Sequence, residues 1–506
     1  MLARTRLAHV GKTAACAQSG LVRVRPLSQS RLQCRSQPSQ TQFSRRLSNS
    51  QTTRVQENSK QPEAQAGGKP LGEPLPQPLS IDRLQLGRLI RATPTSDGEY
   101  VNLGFEHRRW TKIPQLVLRD ACPCAQCVSE SSGQKRFATC DIDATPQLES
   151  SEILEDGSLE LVWAHDFMSG GPHTSNYPLH FLQSWIQNKA LPGLTRPQRY
   201  LWDRAAFEEN LEARMIGYDA WMEGGEPFAK SLLDLATWGL IIVKNVPESK
   251  DAVKEVANKI GNLQSTFYGE TWDVISKPSA ENVAYTNEFL CLHQDLMYHR
   301  DIPFIQVLHC LKNDCPGGDS LFSDGFRAAA ELKKRSPSAH DVLTRQTVPF
   351  QYSRNGHYYE VPRLTIQAPR GDVTRALPAA VHWSPPFQSP FSTVVPSQRL
   401  SKWHKAAKVF KDSLEAPENM LQYRLQPGDC VLFNNWRILH GRTKFDTSSG
   451  FRHLHGAYLT KQVFESALRR AFERGYFPQV PVGELALKAE QAQVNTLYGI
   501  PRKISS

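Results

Sequence analysis

The sequence predicts a mainly β protein with flanking helices, in which a barrel or jelly-roll domain follows a small amino-terminal α+β module. Many short strands bounded by Pro/Gly turns recur after residue 226 with few helices between them, which favours a barrel or jelly roll over an alternating βαβ fold. Short alternating strands also occupy residues 81–187. With 40% hydrophobic and 9% aromatic residues, the 506-residue chain can bury a sizeable core, which excludes general disorder.

Positive charge is concentrated at the amino terminus. The formal net charge is +10, and residues 1–56 hold nine Arg, one Lys and no acid, so the remainder is balanced. A balanced remainder gives no general electrostatic reason to bind nucleic acid. A leader rich in Arg and Ser and free of acids is typical of a mitochondrial transit peptide, so we predict that residues 1–55 direct the protein to the matrix. An ordinary basic tail is the alternative.

The rest of the chain divides into five predicted segments. They are a Pro/Gly-rich linker (56–80), the amino-terminal module (81–187), a linking segment with helical patches (188–225), the larger domain (226–480) and a carboxy-terminal tail (481–506). The predicted strands are 100–103 and 159–163 in the module, and 238–243, 283–293, 304–311, 430–433 and 453–460 in the larger domain. Helices are expected at 327–334 and 465–474. No apolar stretch approaches the roughly 20 residues of a spanning helix, so no membrane span is predicted.

A cysteine cluster lies in the module. Three thiols fall within six residues, at Cys122, Cys124 and Cys127. This spacing suits a soft tetrahedral ion such as zinc, which needs a fourth ligand. The candidates downstream are His173, His165 and Cys140, and we prefer His173 because it follows the predicted strand 159–163 closely. Without a catalytic base nearby, a structural zinc is expected; reduced buried cysteines or a labile disulfide are the alternatives.

A second constellation pairs His293 with Asp295. Side chains two apart at a strand end point to the same side, so the imidazole and the carboxylate can bind one metal together. His440, far along the chain, can complete a facial triad. Two His and one carboxylate leave open coordination positions, which is the arrangement of non-haem Fe(II) oxygenases. With 15 His in the chain, an ordinary structural pair is the alternative.

Four stretches carry a resemblance to a known family. Residues 281–325, ENVAYTNEFLCLHQDLMYHRDIPFIQVLHCLKNDCPGGDSLFSDG, are joined by NNWRILHGRTKF and GFRHLHGAY near the end and by LRDACPCAQC in the module. Together they resemble the TauD-type 2-oxoglutarate-dependent dioxygenases, and more narrowly the family of γ-butyrobetaine and trimethyllysine dioxygenases, over nearly all of residues 81–475. The resemblance implies a double-stranded β-helix (jelly-roll) catalytic domain, a small amino-terminal zinc-binding module and a homodimer.

The same resemblance implies a cofactor site. His293, Asp295 and His440 would be the ligands of Fe(II). Arg452 would pair with the distal carboxylate of the cosubstrate 2-oxoglutarate, which an Arg fork binds in a bidentate manner, and the Ser320 hydroxyl would contact the same group. O₂ would be the oxidant, with ascorbate as a candidate reductant.

The resemblance also implies a substrate. In the family, an aromatic cage holds a trimethylammonium group, because ring faces attract a cation that cannot donate hydrogen bonds. The matching positions here are Tyr268, Trp272, Tyr285 and Tyr458, together with the polar Asn282. The implied reaction is hydroxylation of a quaternary ammonium acid, with γ-butyrobetaine converted to L-carnitine in carnitine biosynthesis.

One segment departs from the family pattern. Where the butyrobetaine enzymes have an Asn-Asn pair that contributes to the pocket for the acidic end of the substrate, residues 381–387 read VHWSPPF. Either the acidic end is bound differently, or the substrate is trimethyllysine or another betaine or amino acid. A non-catalytic binding protein is a more remote alternative, which retention of the whole triad together with Arg452 disfavours.

Overall fold

The structure is a computed structural model that describes residues 87–168, 170–187, 197–276, 285–369, 377–448, 450–477 and 489–495. The predicted transit peptide and linker therefore lie outside the described residues, and so do residues 481–488 and 496–506 of the predicted tail. The domain boundaries drawn from the sequence stay a prediction.

The amino-terminal part contains two three-stranded antiparallel sheets and two helices. Its elements are β1 (Leu89–Pro94), β2 (Tyr100–Phe105), β3 (Arg108–Pro114), α1 (Gln115–Asp120), β4 (Leu148–Ile153), β5 (Leu159–Trp163), β6 (His173–Tyr177) and α2 (Leu179–Gln187). Leu103, Leu161 and Trp163 are completely buried in one shared core. The Tyr177 hydroxyl donates to the carbonyl oxygen of Leu118 at 2.5 Å, which joins the second sheet to α1.

The larger part of the structure follows from residue 197 onward. Its elements are α3 (Arg204–Glu209), β7 (Met215–Gly217), α4 (Tyr218–Glu223), α5 (Gly225–Trp238), β8 (Leu240–Lys244), α6 (Lys250–Ile260), β9 (Thr271–Ile275), β10 (Leu290–His293), β11 (Ile305–Asn313) and β12 (Ser320–Asp324). The remaining elements are α7 (Gly325–Arg335), α8 (Pro337–Arg345), β13 (Thr347–Arg354), β14 (His357–Leu364), β15 (Ile366–Gln367), β16 (Ala380–Val381), α9 (Ser397–Leu414), β17 (Met420–Tyr423), β18 (Cys430–Asn434), β19 (Ile438–Arg442), β20 (Arg452–Leu459) and α10 (Lys461–Glu473).

Two sheets organise this larger part. One has six strands in the order β7-β8-β18-β11-β20-β9, antiparallel except for the β7–β8 pair, and the other has four antiparallel strands in the order β10-β19-β12-β17. Successive side chains of β8 point to opposite faces of the larger sheet. On one face, Ile241 and Val243 pack in a cluster with residues of α4, α5, α6 and α10. Ile242 instead joins a cluster that includes Phe322 of β12 and Leu439 of β19. The smaller sheet therefore packs on the inner face of the larger one.

The structure confirms sheets with flanking helices in a mixed helix and strand fold, while the double-stranded β-helix (jelly-roll) topology stays a prediction. The expectation of few helices was wrong for the described residues, since α5, α6 and α9 were not foreseen. The signals for α6 are present in the sequence: the Ser249 side chain caps its amino terminus, and buried apolar residues such as Val253, Val256 and Ile260 follow at helical spacing.

Two predicted strands have different bounds in the structure. The strand predicted at 238–243 begins only at Leu240, because Trp238 ends α5 and Gly239 adopts a left-handed φ of 82°. Of the described residues in the predicted strand 283–293, only Leu290–His293 form a strand. Within the described part of the chain, no helix has the length and apolarity needed to cross a membrane.

A fully buried ion pair fastens the two sheets and α7 together. Arg437, in the turn between β18 and β19, donates to Asp324 from Nε at 3.0 Å and from a terminal nitrogen at 2.7 Å. Neither side chain is exposed to solvent. Asp324 also accepts from the backbone N–H of Phe326 at 3.0 Å and so caps α7, while Arg437 donates to the carbonyl of Thr237 at the end of α5.

Arg437→Met should lower the free energy of unfolding by about 3–5 kcal/mol, because it leaves the Asp324 carboxylate buried without its charge partner. Urea denaturation followed by circular dichroism measures this change. The double variant Arg437→Met/Asp324→Leu should lose less than the sum of the two single variants; strict additivity would contradict the coupling.

Candidate functional site

The two distant histidines of the predicted triad are cross-strand neighbours. β10 pairs with β19 in antiparallel register, which places His293 directly opposite His440, and their ring centroids are 4.3 Å apart. The strands approach closely beside this pair: a Cβ on Gly441 would lie 2.6 Å from the carbonyl oxygen of Leu290. Glycine at this position therefore permits the pairing that brings the imidazoles together.

Asp295, just beyond the end of β10, completes the group. Its Oδ1 lies 3.4 Å from Nε2 of His293 and 3.9 Å from Nε2 of His440. The three ligand atoms all lie within 4.8 Å of one another. Nδ1 of His293 lies 2.9 Å from the carbonyl oxygen of Cys291, a contact that places the ring proton on Nδ1 and leaves the Nε2 lone pair directed at the group. The structure thus brings together the three predicted residues, and their role as iron ligands remains a proposal.

The other oxygen of Asp295 is held by the protein. Oδ2 accepts hydrogen bonds from Nε2 of Gln306 and from the Tyr458 hydroxyl, each at 2.7 Å. Asn435 holds the backbone: its Oδ1 accepts from the N–H of Asp295 at 2.9 Å and its Nδ2 donates to the carbonyl at 3.1 Å. The sequence analysis missed Gln306 and Asn435. Asn435 stands in the NNWR string already quoted, whereas nothing in the sequence pattern marks Gln306.

The protonation states suit a metal. Burial would raise the pKa of the Asp295 carboxyl, but the two imidazoles and the Tyr458 hydroxyl hold that pKa below its ordinary value. Burial, reinforced by His293, lowers the pKa of His440 to about 3, so its ring is neutral at physiological pH. A carboxylate and two imidazole nitrogens are the donor set of non-haem Fe(II) sites, and the residues present therefore fit this ion.

The group lies in the wall of a cavity of about 730 Å³, part of which is open to solvent. Every described residue of the predicted site contributes to its lining: His293, Asp295, His440, Ser320, Arg452, Tyr268, Trp272, Tyr285 and Tyr458. Asn282 lies outside the described residues. The sequence analysis did not foresee Tyr298, Arg442 and Phe387, which also line the cavity.

The aromatic side of the cavity has a defined geometry. The Tyr268 ring centroid lies 6.5 Å from those of both Trp272 and Tyr285, and it is nearly perpendicular to the latter ring. Trp272 stacks on Tyr458 at 3.9 Å, so no cation can enter between those two rings. This stacking depends on Gly456, where a Cβ would lie 2.5 Å from the Trp272 ring.

Two buried arginines line another part of the cavity wall. Arg452 donates from Nε to the carbonyl of Gly318 at 3.2 Å, and Arg442 donates to the carbonyls of Thr286 and Glu288. Burial lowers the pKa of Arg452 to about 10 and that of Arg442 to about 9, which leaves both charged at neutral pH. No carboxylate among the described residues forms an ion pair with Arg452, so this side suits an anionic ligand.

Ser320 lies on the same side. It is the first residue of β12 and the register partner of Arg442 on β19. It lines the cavity, and its contact with the cosubstrate stays a prediction.

Residues 381–387, which depart from the family pattern, run beside the group formed by His293, Asp295 and His440. The backbone N–H of Gln294 donates to the carbonyl of Trp383 at 2.9 Å, and the Trp383 N–H donates to the side chain of Gln294, also at 2.9 Å. Phe387, at the end of this segment, lines the cavity. An apolar ring of the segment that lacks the family's Asn-Asn pair therefore forms part of the cavity wall.

The cysteine cluster converges on His173. Nε2 of His173 lies 3.4 Å from Sγ of Cys122, 3.7 Å from that of Cys124 and 3.5 Å from that of Cys127. A tetrahedral ion with bonds of about 2.3 Å to sulfur and about 2.0–2.1 Å to nitrogen gives ligand separations of roughly 3.6 Å, so the four atoms fit zinc. The alternative ligand Cys140 is exposed and, like His165, is not part of the cluster.

A third group, Asp273, His453 and His455, lies on β9 and β20. Here Oδ1 of Asp273 is only 2.7 Å from Nε2 of His453 and 2.9 Å from Nδ1 of His455, and Oδ2 accepts from Lys250 at 2.7 Å. These separations are those of hydrogen bonds, shorter than the separations in the other two groups. The network ties the edge strand β9, which carries Trp272, to β20.

Two family models match the chain. Residues 204–458 match the model described as "Taurine catabolism dioxygenase TauD, TfdA family", and residues 93–183 match "Gamma-butyrobetaine hydroxylase-like, N-terminal". Three curated relatives illustrate the similarity. Dioxygenase str8 of Strobilurus tenacellus is 34% identical over 72% of this chain and 84% of its own length. The gamma-butyrobetaine dioxygenase of Pseudomonas sp. (strain AK-1) is 29% identical over 74% and 95%, and the mitochondrial trimethyllysine dioxygenase of Rattus norvegicus is 28% identical over 69% and 80%.

The sequence resemblance and the predicted enzyme class, a 2-oxoglutarate-dependent dioxygenase, are therefore confirmed at the level of the family. Taken with the model match across residues 204–458, the similarity to str8 shows that the chain belongs to the taurine catabolism dioxygenase TauD, TfdA family.

Proposed function

We propose that this protein is an Fe(II)/2-oxoglutarate-dependent dioxygenase that hydroxylates a trimethylammonium acid, with γ-butyrobetaine as the first candidate and L-carnitine as the product. One observation carries the proposal: the group formed by His293, Asp295 and His440 lies in the wall of the same cavity as four aromatic side chains. A metal centre and a site for a quaternary ammonium group would then share one cavity.

Each part of the cavity has a distinct role in this proposal. His293, Asp295 and His440 would hold Fe(II), and Arg452 with Ser320 would hold the distal carboxylate of 2-oxoglutarate. When bound, the iron and its cosubstrate supply the activation of O₂ that C–H hydroxylation requires. The chain itself contributes orientation, since it fixes one end of the substrate against ring faces while the neighbouring carbon chain lies toward the metal.

Trimethyllysine is the second candidate substrate. The relatives carry both names, gamma-butyrobetaine dioxygenase and trimethyllysine dioxygenase, at similar identity. Both acids have the same trimethylammonium head, which the aromatic side would bind. They differ at the acidic end, where Phe387 lines the wall near the segment that lacks the Asn-Asn pair. This end of the cavity therefore decides between them.

Three further predictions remain part of the proposal. Cys122, Cys124, Cys127 and His173 would hold a structural zinc ion. Residues 1–55 would direct the protein to the mitochondrial matrix, in line with the mitochondrial name of the rat relative. The protein would form a homodimer. Neither the relatives nor the described residues bear on ascorbate, which stays a prediction.

Asp295→Ala should lower iron-dependent succinate formation by more than about 100-fold, because losing a ligand costs more than losing one of its outer partners. Coupled measurement of succinate and of bound Fe(II) under anaerobic conditions tests this. Asp412→Ala, on the exposed surface of α9, is the matched control and should behave as wild type. Retention of iron and activity by the Asp295 variant would remove this residue from the metal site.

γ-Butyrobetaine should be preferred over its neutral isostere 5,5-dimethylhexanoate by about tenfold in kcat/KM, because cation–π attraction of roughly 1–2 kcal/mol is lost with the charge. Trp272→Leu should reduce this preference by raising KM for the betaine alone. Trp110→Leu, at an exposed position in β3, is the control. Equal kcat/KM for the two acids would refute the aromatic cage. Trimethyllysine, assayed in parallel, shows which of the two trimethylammonium acids is the better substrate. No turnover with any acid would favour the non-catalytic alternative.

His173→Gln should lose the zinc ion of the amino-terminal part and lower the melting temperature, because structural zinc contributes directly to folding. Elemental analysis of the purified protein together with calorimetry measures both effects. His165→Gln is the matched control, since this residue is the alternative fourth ligand and is not part of the cluster. Zinc loss from the His165 variant with retention by the His173 variant would reverse the assignment.

A further inference from the structure

Tyr458 contacts both halves of the cavity at once. Its ring stacks on Trp272 with centroids 3.9 Å apart, and its hydroxyl donates to Oδ2 of Asp295 at 2.7 Å. The side chain is almost fully buried, at 1% exposure. Family resemblance assigns this residue only to the aromatic cage, a role that needs its ring and not its hydroxyl.

The Tyr458 hydroxyl donates to the Asp295 carboxylate, which could bind a metal through one oxygen or through both. Oδ1 of Asp295 faces the two imidazoles, while Oδ2 accepts from both Tyr458 and Gln306. In the 2.7 Å contact the phenol O–H of Tyr458 is the donor and the carboxylate oxygen is the acceptor. Two donors on Oδ2 leave Oδ1 alone available to an ion and fix the rotation of the carboxylate plane.

We infer that Tyr458 is a positioning residue for the metal centre: through its hydroxyl it holds Asp295 in a one-oxygen binding mode, with Gln306 as the second holder. The inference rests on the proposed function, in which Asp295 is an iron ligand. It also assigns the two parts of Tyr458 separately, the ring to the substrate and the hydroxyl to the metal ligand. Binding of a ligand against the ring is thereby linked mechanically to the orientation of Asp295.

Removal of the hydroxyl alone separates the two roles. Tyr458→Phe keeps the ring that stacks on Trp272 and takes away one of the two donors to Oδ2. Outer-shell partners of metal ligands typically contribute about 10–100-fold to metal affinity, so the variant should bind metal at least about tenfold more weakly. Because the ring face remains, KM for γ-butyrobetaine should change by less than roughly twofold at saturating iron, while kcat falls.

The experiment uses the full protein with Mn(II) and Co(II) as probes. Loss of the free Mn(II) signal in electron paramagnetic resonance gives the dissociation constant, and the visible absorption of bound Co(II) reports a change in coordination. Gln306→Leu, which removes the other donor, should weaken Mn(II) binding in the same direction and alter the Co(II) spectrum in the same way. This second variant tests the inference even if Tyr458→Phe proves unstable.

Tyr268→Phe is the matched control for metal binding. It removes a phenol hydroxyl from the same cavity, but that hydroxyl pairs with Tyr298. Its Mn(II) affinity should equal that of wild type. A Tyr458→Phe variant with wild-type Mn(II) affinity and an unchanged Co(II) spectrum would overturn the inference, as would a raised KM with normal metal binding.

Asp295→Ala separates failure of the inference from failure of the proposed function. If this variant loses Mn(II) while Tyr458→Phe and Gln306→Leu keep wild-type affinity, the iron site stands and the positioning role falls. If Asp295→Ala itself binds Mn(II) as tightly as wild type, the proposed metal site fails, and the inference fails with it.

Discussion

The cross-strand register between β10 and β19 is the constraint on which the site depends. Because side chains alternate along a strand, a slip of one residue would turn His293 or His440 to the opposite face and separate the two imidazoles. The same register reaches the next strand, since β12 places Phe322 opposite His440 and Ser320 opposite Arg442. The backbone hydrogen bonds between these paired strands thus fix the positions of the proposed metal ligands His293 and His440. They also fix the positions of the cavity residues Ser320 and Arg442.

Asp295 lies beyond this ladder, and its position needs other support. The next residue, Leu296, has a left-handed φ of 58°, which is unfavourable for a branched side chain and occurs where the surroundings impose it. Asn435 holds the backbone of Asp295 from one side. From the other, Arg363 donates to the carbonyls of Met297 and His299, just past the strained residue. The carboxylate is therefore placed by side-chain hydrogen bonds from two distant segments.

These two kinds of support explain how far the sequence could predict the site. His293, Asp295 and the cysteines could be found because ligand chemistry leaves a short spacing in the chain. His440 has no such spacing, so it could only be offered as a distant third ligand, which the resemblance then supported. Gln306 could not be found, because a single amide on a buried strand has no pattern, and its role appears only when β11 lies beside the Asp295 loop. The same holds for the fold. Strands with alternating apolar residues were predicted, whereas amphipathic helices such as α6 were overlooked. The strand predicted from residue 238 begins only after Gly239 in the structure.

The charges around the cavity limit what it can bind. Arg442 and Arg452 leave one side positive, and Asp295 is the one carboxylate among its described lining residues. Its two oxygens are engaged, one beside the imidazoles and one by Tyr458 and Gln306, so no acid remains to pair with a cationic substrate group. A primary ammonium on the aromatic side would also need hydrogen-bond acceptors to replace its hydration. A trimethylammonium group has no such need, because ring faces alone attract its charge. Under the proposed function, the aromatic side of the cavity therefore favours a quaternary ammonium group over a primary amine.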